Sequence, residues 1–413
     1  MEKTLFNNEI QNMKNYIMFE IKARQNELTP QLKAKNRTPI AMSMGAPVDR
    51  IPEFAHKKMS EYMLIDSLHT YSTPKGEVRF LEAVSSYMQN RFSVELNPKK
   101  QVVSLIGSKE GISNLIKALV NPKEDPKEQD VILTPNPGYA SYSQMVRISG
   151  ARAYGVNLTE ENNYEPDLNK VLESYIEEGN DPKKIKALII NYPNNPLGCT
   201  CSFEYLQHCV DFCNKMGILL ISDNAYCEMY YDENHKPHSA LECKGAMDCC
   251  IEMYSFSKTY AMTGWRMGWA CGNELAVTML SRMKSTVDTG IFKVLQYVGA
   301  DLLESKEGQE YIDSQNIKFK NKVQKFVDGL NSLGYNVKMP KATFYLWLEI
   351  PKRFKDCEEF ASEMLEKSGI VIVPGTAFDK NAHRHCRLSV VASDSDLAEI
   401  IKRMKEDGFQ FEK

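Results

Sequence analysis

A single lysine, Lys258, lies among residue types that bind phosphate groups in proteins. It follows Ser255 and Ser257, and Arg266 comes eight residues later, directly after Gly264-Trp265. A lysine amine can form a Schiff base with an aldehyde, and serine hydroxyls with a guanidinium can hold a phosphate. Pyridoxal 5′-phosphate carries both an aldehyde and a phosphate. The segment therefore predicts a site for this cofactor.

The composition around Lys258 argues against the simplest alternative, which is a solvated lysine in a serine-rich turn. Between Met253 and Gly268 the only charged residues are Lys258 and Arg266. Isolated charges in an apolar setting are rarely left unpaired, because burying one unpaired is costly or shifts its pKa. Both cations are therefore expected to have partners.

The overall composition is that of an ordinary globular protein. The chain has 413 residues, is 43% hydrophobic and 25% charged, and carries a formal net charge of −3. This charge gives no general attraction to nucleic acid or to an anionic membrane. The 11 cysteines form no zinc-type spacing with histidines, so no metal is expected, and their odd number favours a reducing compartment. With no secretory signal at the N-terminus and no apolar run long enough to span a bilayer, the expected location is the cytoplasm.

Several near-continuous apolar runs end in polar residues, which is typical of parallel strands buried on both faces. These runs cover residues 101–106, 130–134, 187–191 and 217–222, with helical patterns between them, such as 203–215. The pattern predicts an α/β fold with a mainly parallel sheet. Ligands of such sheets bind beyond the carboxyl ends of the strands. The polar residues that follow the strands are therefore expected to share one cleft; they are Tyr139, Asn195, Asp223, Tyr226, Ser255 and Lys258.

The last third of the chain predicts a second, smaller α+β domain. A helix-rich stretch from residue 274 to about 330 precedes strand patterns at 335–339, 343–350 and 386–390, with helices near 357–368 and 393–406. A helical pattern over residues 5–27 joins this domain. The expected division is a large cofactor-binding domain over residues 48–295 and a small domain formed by residues 1–47 and 296–413.

Polar residues at the strand ends have the chemistry that the cofactor requires. Asp223 can pair with the pyridine nitrogen, although a helix N-cap is the alternative for this residue. Asn195 and Tyr226 can donate to the ring oxygen, but Asn195 also fits plain turn chemistry. Tyr139 can stack on the ring, while both tyrosines also fit simple packing.

Three further positions are candidates for binding anions or substrate. The turn Gly107-Ser108-Lys109 joins a strand to a helix, where free N–H groups and the helix dipole attract phosphate. Arg387 lies within an apolar strand and requires a carboxylate, from either a substrate or a structural ion pair. Gly45, in a turn after a short strand, either permits close approach of the backbone to a ligand or is a simple turn glycine.

These motifs together resemble the class I/II, fold-type I aminotransferases that depend on pyridoxal phosphate. The resemblance rests on Ser255-Phe256-Ser257-Lys258, Gly264-Trp265-Arg266, Asn191-Tyr192-Pro193-Asn194-Asn195-Pro196, Asp223-Asn224-Ala225-Tyr226 and Arg387. It implies a large domain with a mainly parallel seven-stranded sheet and a smaller α+β domain. It also implies a homodimer with shared active sites.

The resemblance assigns a role to each matching residue. Lys258 would hold the aldehyde and act as general acid and base, Asp223 would face the pyridine nitrogen, Asn195 and Tyr226 would bind the ring oxygen, and Tyr139 would stack on the ring. The phosphate would be held by Ser108, Lys109, Ser255, Ser257 and Arg266, with Tyr71 reaching the site of the neighbouring subunit. Arg387 would bind the substrate carboxylate, with Gly45 and Tyr16 on the substrate side.

Within the family, the motifs look most like a branch that contains LL-diaminopimelate, alanine and aspartate aminotransferases. Leu197 and Asn224 depart from the residues common in the family and touch the edge of the pocket, which leaves the choice of substrate open.

The expected activity is the transfer of an amino group from an L-amino acid to a 2-oxo acid by a ping-pong mechanism. Two alternatives keep the fold and change the function. One is a C–S β-lyase that uses the same cofactor and needs no oxo-acid acceptor. The other is a regulatory protein that has lost catalysis, which the full catalytic set and the absence of an appended basic region argue against.

Overall fold

The structure of the protein is a computed structural model that describes residues 5, 7–13 and 17–411. Within these residues, helices and strands follow one another along the chain. The strands are β1 (Ile40–Ala41), β2 (Val102–Leu105), β3 (Val131–Asn136), β4 (Arg152–Asn157), β5 (Ile185–Ile190), β6 (Leu219–Asp223), β7 (Cys250–Ser255), β8 (Gly268–Gly272), β9 (Tyr345–Glu349), β10 (Ile370–Val371), β11 (Val373–Pro374) and β12 (His385–Ser389). The helices are α1 (Asn8–Gln11), α2 (Ile17–Ala34), α3 (Glu53–Tyr62), α4 (Val78–Phe92), α5 (Pro98–Gln101), α6 (Ser108–Leu119), α7 (Ser141–Ile148), α8 (Leu168–Glu177), α9 (Phe203–Met216), α10 (Ala246–Cys249), α11 (Phe256–Thr259), α12 (Glu274–Val287), α13 (Lys293–Glu304), α14 (Lys306–Ser332), α15 (Cys357–Ser368) and α16 (Asp394–Glu406).

A seven-stranded sheet forms the centre of the larger part of the molecule. Its strand order is β2-β8-β7-β6-β5-β3-β4, and β8 alone runs antiparallel to its neighbours. Separate clusters of buried apolar side chains cover its two faces. This arrangement confirms the predicted α/β fold with a mainly parallel sheet. The carboxyl ends of β3, β5, β6 and β7 lie at one edge, where a ligand is expected.

A second hydrophobic core lies around a three-stranded antiparallel sheet. This sheet has the order β11-β12-β9 and packs with buried residues of α14, α15 and α16. Ile312 of α14 belongs to the core of the large sheet, whereas Phe319 of the same helix belongs to the second core. The division at residues 295 and 296 remains a prediction.

Two local predictions were wrong. The N-terminal helix α2 begins at Ile17 and continues past Pro30 to Ala34, because Leu28 and Leu32 are buried against Leu365 and Val371. Tertiary packing here outweighs the lost backbone hydrogen bond of the proline. The segment 335–339 forms no strand; Asn331 instead holds Val337 through both its side-chain oxygen and nitrogen.

The two ends of helix α9 are fixed by local signals, and the helix leads into strand β6, which ends at a polar site residue. Ser202 caps α9 by accepting a hydrogen bond from the Tyr205 N–H, and Gly217 ends this helix in the left-handed conformation, with φ of 65°. The chain then reverses into β6 and reaches Asp223 at its last position. No described helix is both long and apolar enough to cross a membrane.

Candidate active site

A cavity of about 250 Å³ opens at the carboxyl edge of the large sheet, facing the second core. All but two of the predicted site residues line it. The lining includes Gly45, Ser108, Lys109, Tyr139, Asn195, Asp223, Tyr226, Ser255, Ser257, Lys258, Arg266 and Arg387. The exceptions are Tyr71, which is 88% exposed on the outer surface, and Tyr16, which lies outside the described residues. The strands of one sheet edge and β12 of the second sheet thus contribute to a single site.

The Lys258 side chain reaches into this cavity from the short helix α11. Ser255 caps α11 by accepting a hydrogen bond of 3.2 Å from the Ser257 N–H. The Lys258 amine donates a hydrogen bond to the backbone oxygen of Gly45. Burial, together with the positive charges of Arg387 and Arg266, lowers the pKa of this amine to about 8, against the opposing effect of Asp223. An appreciable fraction of the amine is therefore neutral near physiological pH.

The Asp223 carboxylate is buried, with 6% of the residue exposed. Its Oδ2 accepts a hydrogen bond of 2.7 Å from the Tyr142 hydroxyl, whereas Oδ1 is buried without a hydrogen-bond partner. Burial raises the pKa of this carboxyl group, and the bond from Tyr142 opposes the rise. A buried carboxylate oxygen without a partner is unfavourable, so Asp223 is suited to a cationic N–H donor in the cavity.

A basic and polar wall at one end of the cavity is suited to phosphate. Helix α6 begins at Ser108 after Gly107, whose φ of 128° suits glycine, and no side chain caps its N-terminus. A β-carbon at Gly107 would lie 2.9 Å from Nη2 of Arg266. The guanidinium, the helix N-terminus and the Ser255 and Ser257 hydroxyls therefore surround a small space that suits an anion.

Arg387 lines the cavity from β12 of the second sheet. Its Nη1 donates to Asn195 Oδ1 at 3.0 Å and its Nη2 donates to the Ser43 backbone oxygen at 2.6 Å, while Nε is buried without a partner. The hydrogen bonds of this buried cation thus go to neutral oxygens. A guanidinium in this state is suited to a carboxylate ligand.

Some residues of the site were missed by the sequence-based prediction. Tyr142, Tyr345, Asn191, Ser43 and Met18 also line the cavity. Asn191 had a signal, because it belongs to the same motif as Asn195; its amide donates to the Asp223 backbone oxygen at 2.8 Å and its Oδ1 accepts from the Asn195 N–H at 3.0 Å. Tyr345 had none, since it starts a strand of the second sheet, far along the chain from the other residues.

The donor set fits pyridoxal phosphate by its chemistry. A neutralisable amine, a buried carboxylate with an unpartnered oxygen, an anion-binding helix N-terminus and a buried arginine lie around one cavity. The fold and the site are those of an enzyme that uses this cofactor. Residues 37–404 match the family described as aminotransferase class I and II. The chain therefore belongs to this family, whose members use pyridoxal phosphate.

Relatives and solved structures agree with this assignment. The chain is 37% identical to the LL-diaminopimelate aminotransferase of Desulforudis audaxviator, over 93% of this chain and 94% of that one. It is 33% identical to the enzyme of the same name from Halothermothrix orenii, over 97% and 98% of the two chains. Among solved structures, substrate-bound BacF from Bacillus subtilis matches with a TM-score of 0.90 and 29% identity over 100% of both chains. An aspartate aminotransferase variant from Thermus thermophilus, 23% identical with a TM-score of 0.87 over 98% and 100% of the chains, shares the fold.

The protein is a transaminase. It transfers an amino group from an L-amino acid to a 2-oxo acid by a ping-pong mechanism that depends on pyridoxal phosphate, as its family membership and its relatives show. This result confirms the activity predicted from the sequence. No finding favours the C–S β-lyase alternative.

Proposed function

We propose that this transaminase acts on LL-diaminopimelate, and that it works as a cytoplasmic homodimer with shared active sites. The substrate proposal is supported by relatives of 33–37% identity that carry this name and align over most of their length. The observation that carries the amino-acid part of the proposal is Arg387, a buried guanidinium at the cavity with an unpartnered Nε. A substrate with an amino acid group at one end presents the carboxylate that such a cation requires.

The residues that would hold the cofactor have separate tasks. When bound, pyridoxal phosphate supplies an aldehyde that condenses with amines and a ring that withdraws electrons from the reacting carbon. The carboxylate of Asp223 keeps a proton on the ring nitrogen. Asn195 and Tyr226 bind the ring oxygen, and Tyr139 packs against the ring. Ser108, Lys109, Ser255, Ser257 and Arg266 bind the phosphate.

Lys258 moves the proton. Its amine is the general base that accepts the proton from the α-carbon of the substrate. Its ammonium then returns a proton to the carbon that was the aldehyde carbon of the cofactor. The depressed pKa, about 8, keeps both protonation states accessible near neutral pH. The backbone oxygen of Gly45 accepts a hydrogen bond from this amine, and Gly45 is proposed to line the substrate side. Tyr16 is proposed to line the same side, from the family resemblance alone.

The homodimer proposal is supported by apolar residues exposed beside Tyr71. Leu64 is 84% exposed and Phe292 is 40% exposed, although large apolar side chains are normally covered when they cluster. The loop that carries Tyr71 is held from behind by Lys293, which donates to Thr70, and by Gln296, which donates to Ser72. The neighbours of Tyr71 in the chain are therefore held in place while its ring is exposed, as expected of a residue that reaches into the site of a second subunit. The cytoplasmic location is supported by the cysteines, all of which are free thiols.

The substrate is tested with a panel of amino donors. LL-diaminopimelate, L-glutamate, L-alanine and L-aspartate are each added without an oxo acid, and the change in the visible absorption of the bound cofactor is followed. We expect the highest kcat/KM with LL-diaminopimelate and no turnover in Lys258→Ala. A slower reaction with LL-diaminopimelate than with the other donors contradicts the substrate proposal. Release of pyruvate from cystathionine without an acceptor would instead reveal a β-lyase.

The shared sites are tested by mixing subunits. Lys258→Ala and Tyr71→Ala each inactivate a pure dimer in this proposal. A mixed dimer contains one site with an intact lysine from one chain and an intact tyrosine from the other, so mixing restores activity. A monomer by sedimentation, or a mixture no more active than its parts, contradicts the proposal.

A further inference from the structure

Tyr345 contacts both Arg387 and Tyr226 in the active-site cavity. It is fully buried at the start of β9 and pairs with Ser389 of β12, the strand that also carries Arg387. Its side chain reaches the cavity, where it lines the wall between Arg387 and Tyr226. One residue of the second sheet therefore contacts both the group proposed to bind substrate and a group proposed to bind cofactor.

The ring of Tyr345 packs against the Arg387 guanidinium. The Arg387 Cζ lies 4.7 Å from the centre of this ring and 4.8 Å from the centre of the Phe378 ring. A guanidinium near an aromatic face is attracted by the ring electrons, and its plane is restricted by the contact. Because Nη1 and Nη2 are also hydrogen-bonded to Asn195 and Ser43, the aromatic contacts complete the positioning of the arginine.

The hydroxyl of Tyr345 has different partners. It lies 2.8 Å from the Tyr226 hydroxyl, and it donates at 3.4 Å to the backbone oxygen of Gly45. The same carbonyl accepts the hydrogen bond from the Lys258 amine. A β-carbon at position 45 would come within 2.4 Å of the Tyr345 oxygen, so the glycine makes this approach possible.

We propose that Tyr345 is a positioning residue with two separable functions. Its ring fixes Arg387 for the substrate carboxylate, and its hydroxyl hydrogen-bonds the Tyr226 phenol so that this phenol can donate toward the cofactor side of the cavity. This inference deepens the proposed function and rests on it for the roles of Arg387 and Tyr226.

The hydroxyl function follows from counting protons. Each phenol has a single proton to donate. When Tyr226 donates its proton into the cavity, its oxygen can accept the proton of Tyr345, which then forms this shorter bond instead of the 3.4 Å bond to the Gly45 oxygen. Such a bond makes Tyr226 a stronger donor. Without the Tyr345 hydroxyl, Tyr226 is a weaker donor. The charged and titratable groups that face this pair in the cavity are Lys258, Asp223, Arg387 and Arg266.

Two substitutions separate the functions. Tyr345→Phe keeps the ring and removes the hydroxyl, whereas Tyr345→Leu removes both. In Tyr345→Phe we expect the pH midpoint of the visible absorption of the bound cofactor to move upward, because a weaker Tyr226 donor stabilises the negative ring oxygen less. For the same variant we expect kcat to fall about threefold to tenfold through the loss of one hydrogen bond, with KM unchanged. In Tyr345→Leu we expect, in addition, a rise of about tenfold in KM for both LL-diaminopimelate and L-glutamate.

Tyr335→Phe is the matched control. This tyrosine is also buried in the second core, and its hydroxyl donates to the Phe409 backbone oxygen at 2.7 Å. The Tyr335→Phe variant loses the same hydroxyl oxygen as Tyr345→Phe, but at a site outside the cavity lining. We expect a lower melting temperature with no change in the absorption midpoint or in KM.

The outcomes distinguish this inference from the proposed function. An unchanged absorption midpoint in Tyr345→Phe overturns the hydroxyl function even if Tyr345→Leu does not fold, and this measurement needs no substrate. If Tyr345→Leu folds and both KM values stay the same, the ring function is wrong. If the wild-type protein prefers a donor other than LL-diaminopimelate, the substrate proposal fails. The absorption measurement still tests the hydroxyl function of Tyr345 in that case.

Discussion

The Nη1 atom of Arg387 donates a hydrogen bond of 3.0 Å to Oδ1 of Asn195. Arg387 lies on β12 of the small sheet, whereas Asn195 follows β5 of the large sheet. The group proposed to bind the substrate carboxylate is thus oriented by a group proposed to bind the cofactor ring. This contact joins the two sheets at the cavity, and it makes the two residues interdependent.

The first prediction concerns the coupling of this pair. Asn195→Ala and Arg387→Lys are each expected to raise KM for the amino donor, since each breaks the contact and Lys lacks the planar fork of Arg. Because both changes remove the same hydrogen bond, the double variant is expected to lose less kcat/KM than the two single losses combined. Expressed as RT ln(kcat/KM), the difference is expected to be about 0.5–3 kcal/mol. Steady-state kinetics of the four proteins measure this difference.

Arg403 provides the control for that cycle. It is buried to the same extent as Arg387, but it donates to backbone oxygens of Thr38 and Ser368 in the second core. Arg403→Lys is expected to combine additively with Asn195→Ala. Additivity in the Arg387 cycle as well would show that the contact does not act in the enzyme.

The second prediction concerns Asp223. Asp223→Asn preserves the shape of the side chain but removes the negative charge, so kcat is expected to fall about a hundredfold or more. Tyr142→Phe removes only the hydrogen bond to Oδ2 and is expected to cost about threefold to tenfold. The control is Asp130→Asn, which should retain kcat. Asp130 is a buried carboxylate that precedes β3, at the end of this strand away from the cavity, and it accepts a hydrogen bond from the Asn121 N–H. An Asp223→Asn enzyme with nearly normal turnover contradicts the role of this residue.

The positions of Asp223 and Lys258 could be predicted because local patterns determine them. Asp223 is the last residue of β6 and Lys258 comes shortly after β7, and parallel strands bring their carboxyl ends to one edge. The sequence could therefore predict which residues meet without predicting distances. The caps at Ser202 and Ser255, which set where α9 and α11 begin, also follow local rules.

Tyr345 and Tyr142 could not be predicted in the same way. Tyr345 reaches the cavity only because β9 pairs with β12, a non-local contact that has no signature in either strand. Tyr142 lies in α7, and its bond to Asp223 depends on how this helix packs against the sheet. The end of α2 was missed for a related reason, since its contacts with α15 and β10 override the local signal of Pro30.

The third prediction uses two glycines to test the phosphate site. Gly107→Ala is expected to weaken the binding of pyridoxal phosphate about tenfold or more, because φ of 128° strains an alanine and the new methyl group meets Arg266 Nη2. Gly217→Ala is the control, since its φ is 65° but a β-carbon would meet no atom within 4 Å. This variant should lose about 1 kcal/mol of stability with normal cofactor affinity. Equal affinities in both variants, measured by titrating the cofactor-free proteins, would contradict the proposed phosphate site.

The fourth prediction concerns the stability of the cofactor-free protein as a function of pH. The pKa of Lys258 is lowered from 10.5 to about 8 in the folded protein, so the folded state binds fewer protons than the unfolded state between these values. Below pH 8 the buried ammonium destabilises the fold, by on the order of 3 kcal/mol. Above about pH 10.5 the amine is neutral in both states and the penalty disappears. The stability of the wild-type protein therefore approaches that of Lys258→Met as the pH rises from 8 to about 10.5.

Urea unfolding of the two cofactor-free proteins at a series of pH values measures this difference. Lys258→Met is expected to be the more stable protein at pH 7, and the gap is expected to close between pH 8 and about 10.5. Lys306→Met is the control, because Lys306 is exposed and pairs with Glu310 on the same helix; it should differ little from wild type at pH 7. A constant gap between wild type and Lys258→Met at all pH values would mean that the amine has an ordinary pKa. The proton transfer proposed for Lys258 would then lack the neutral amine on which it depends.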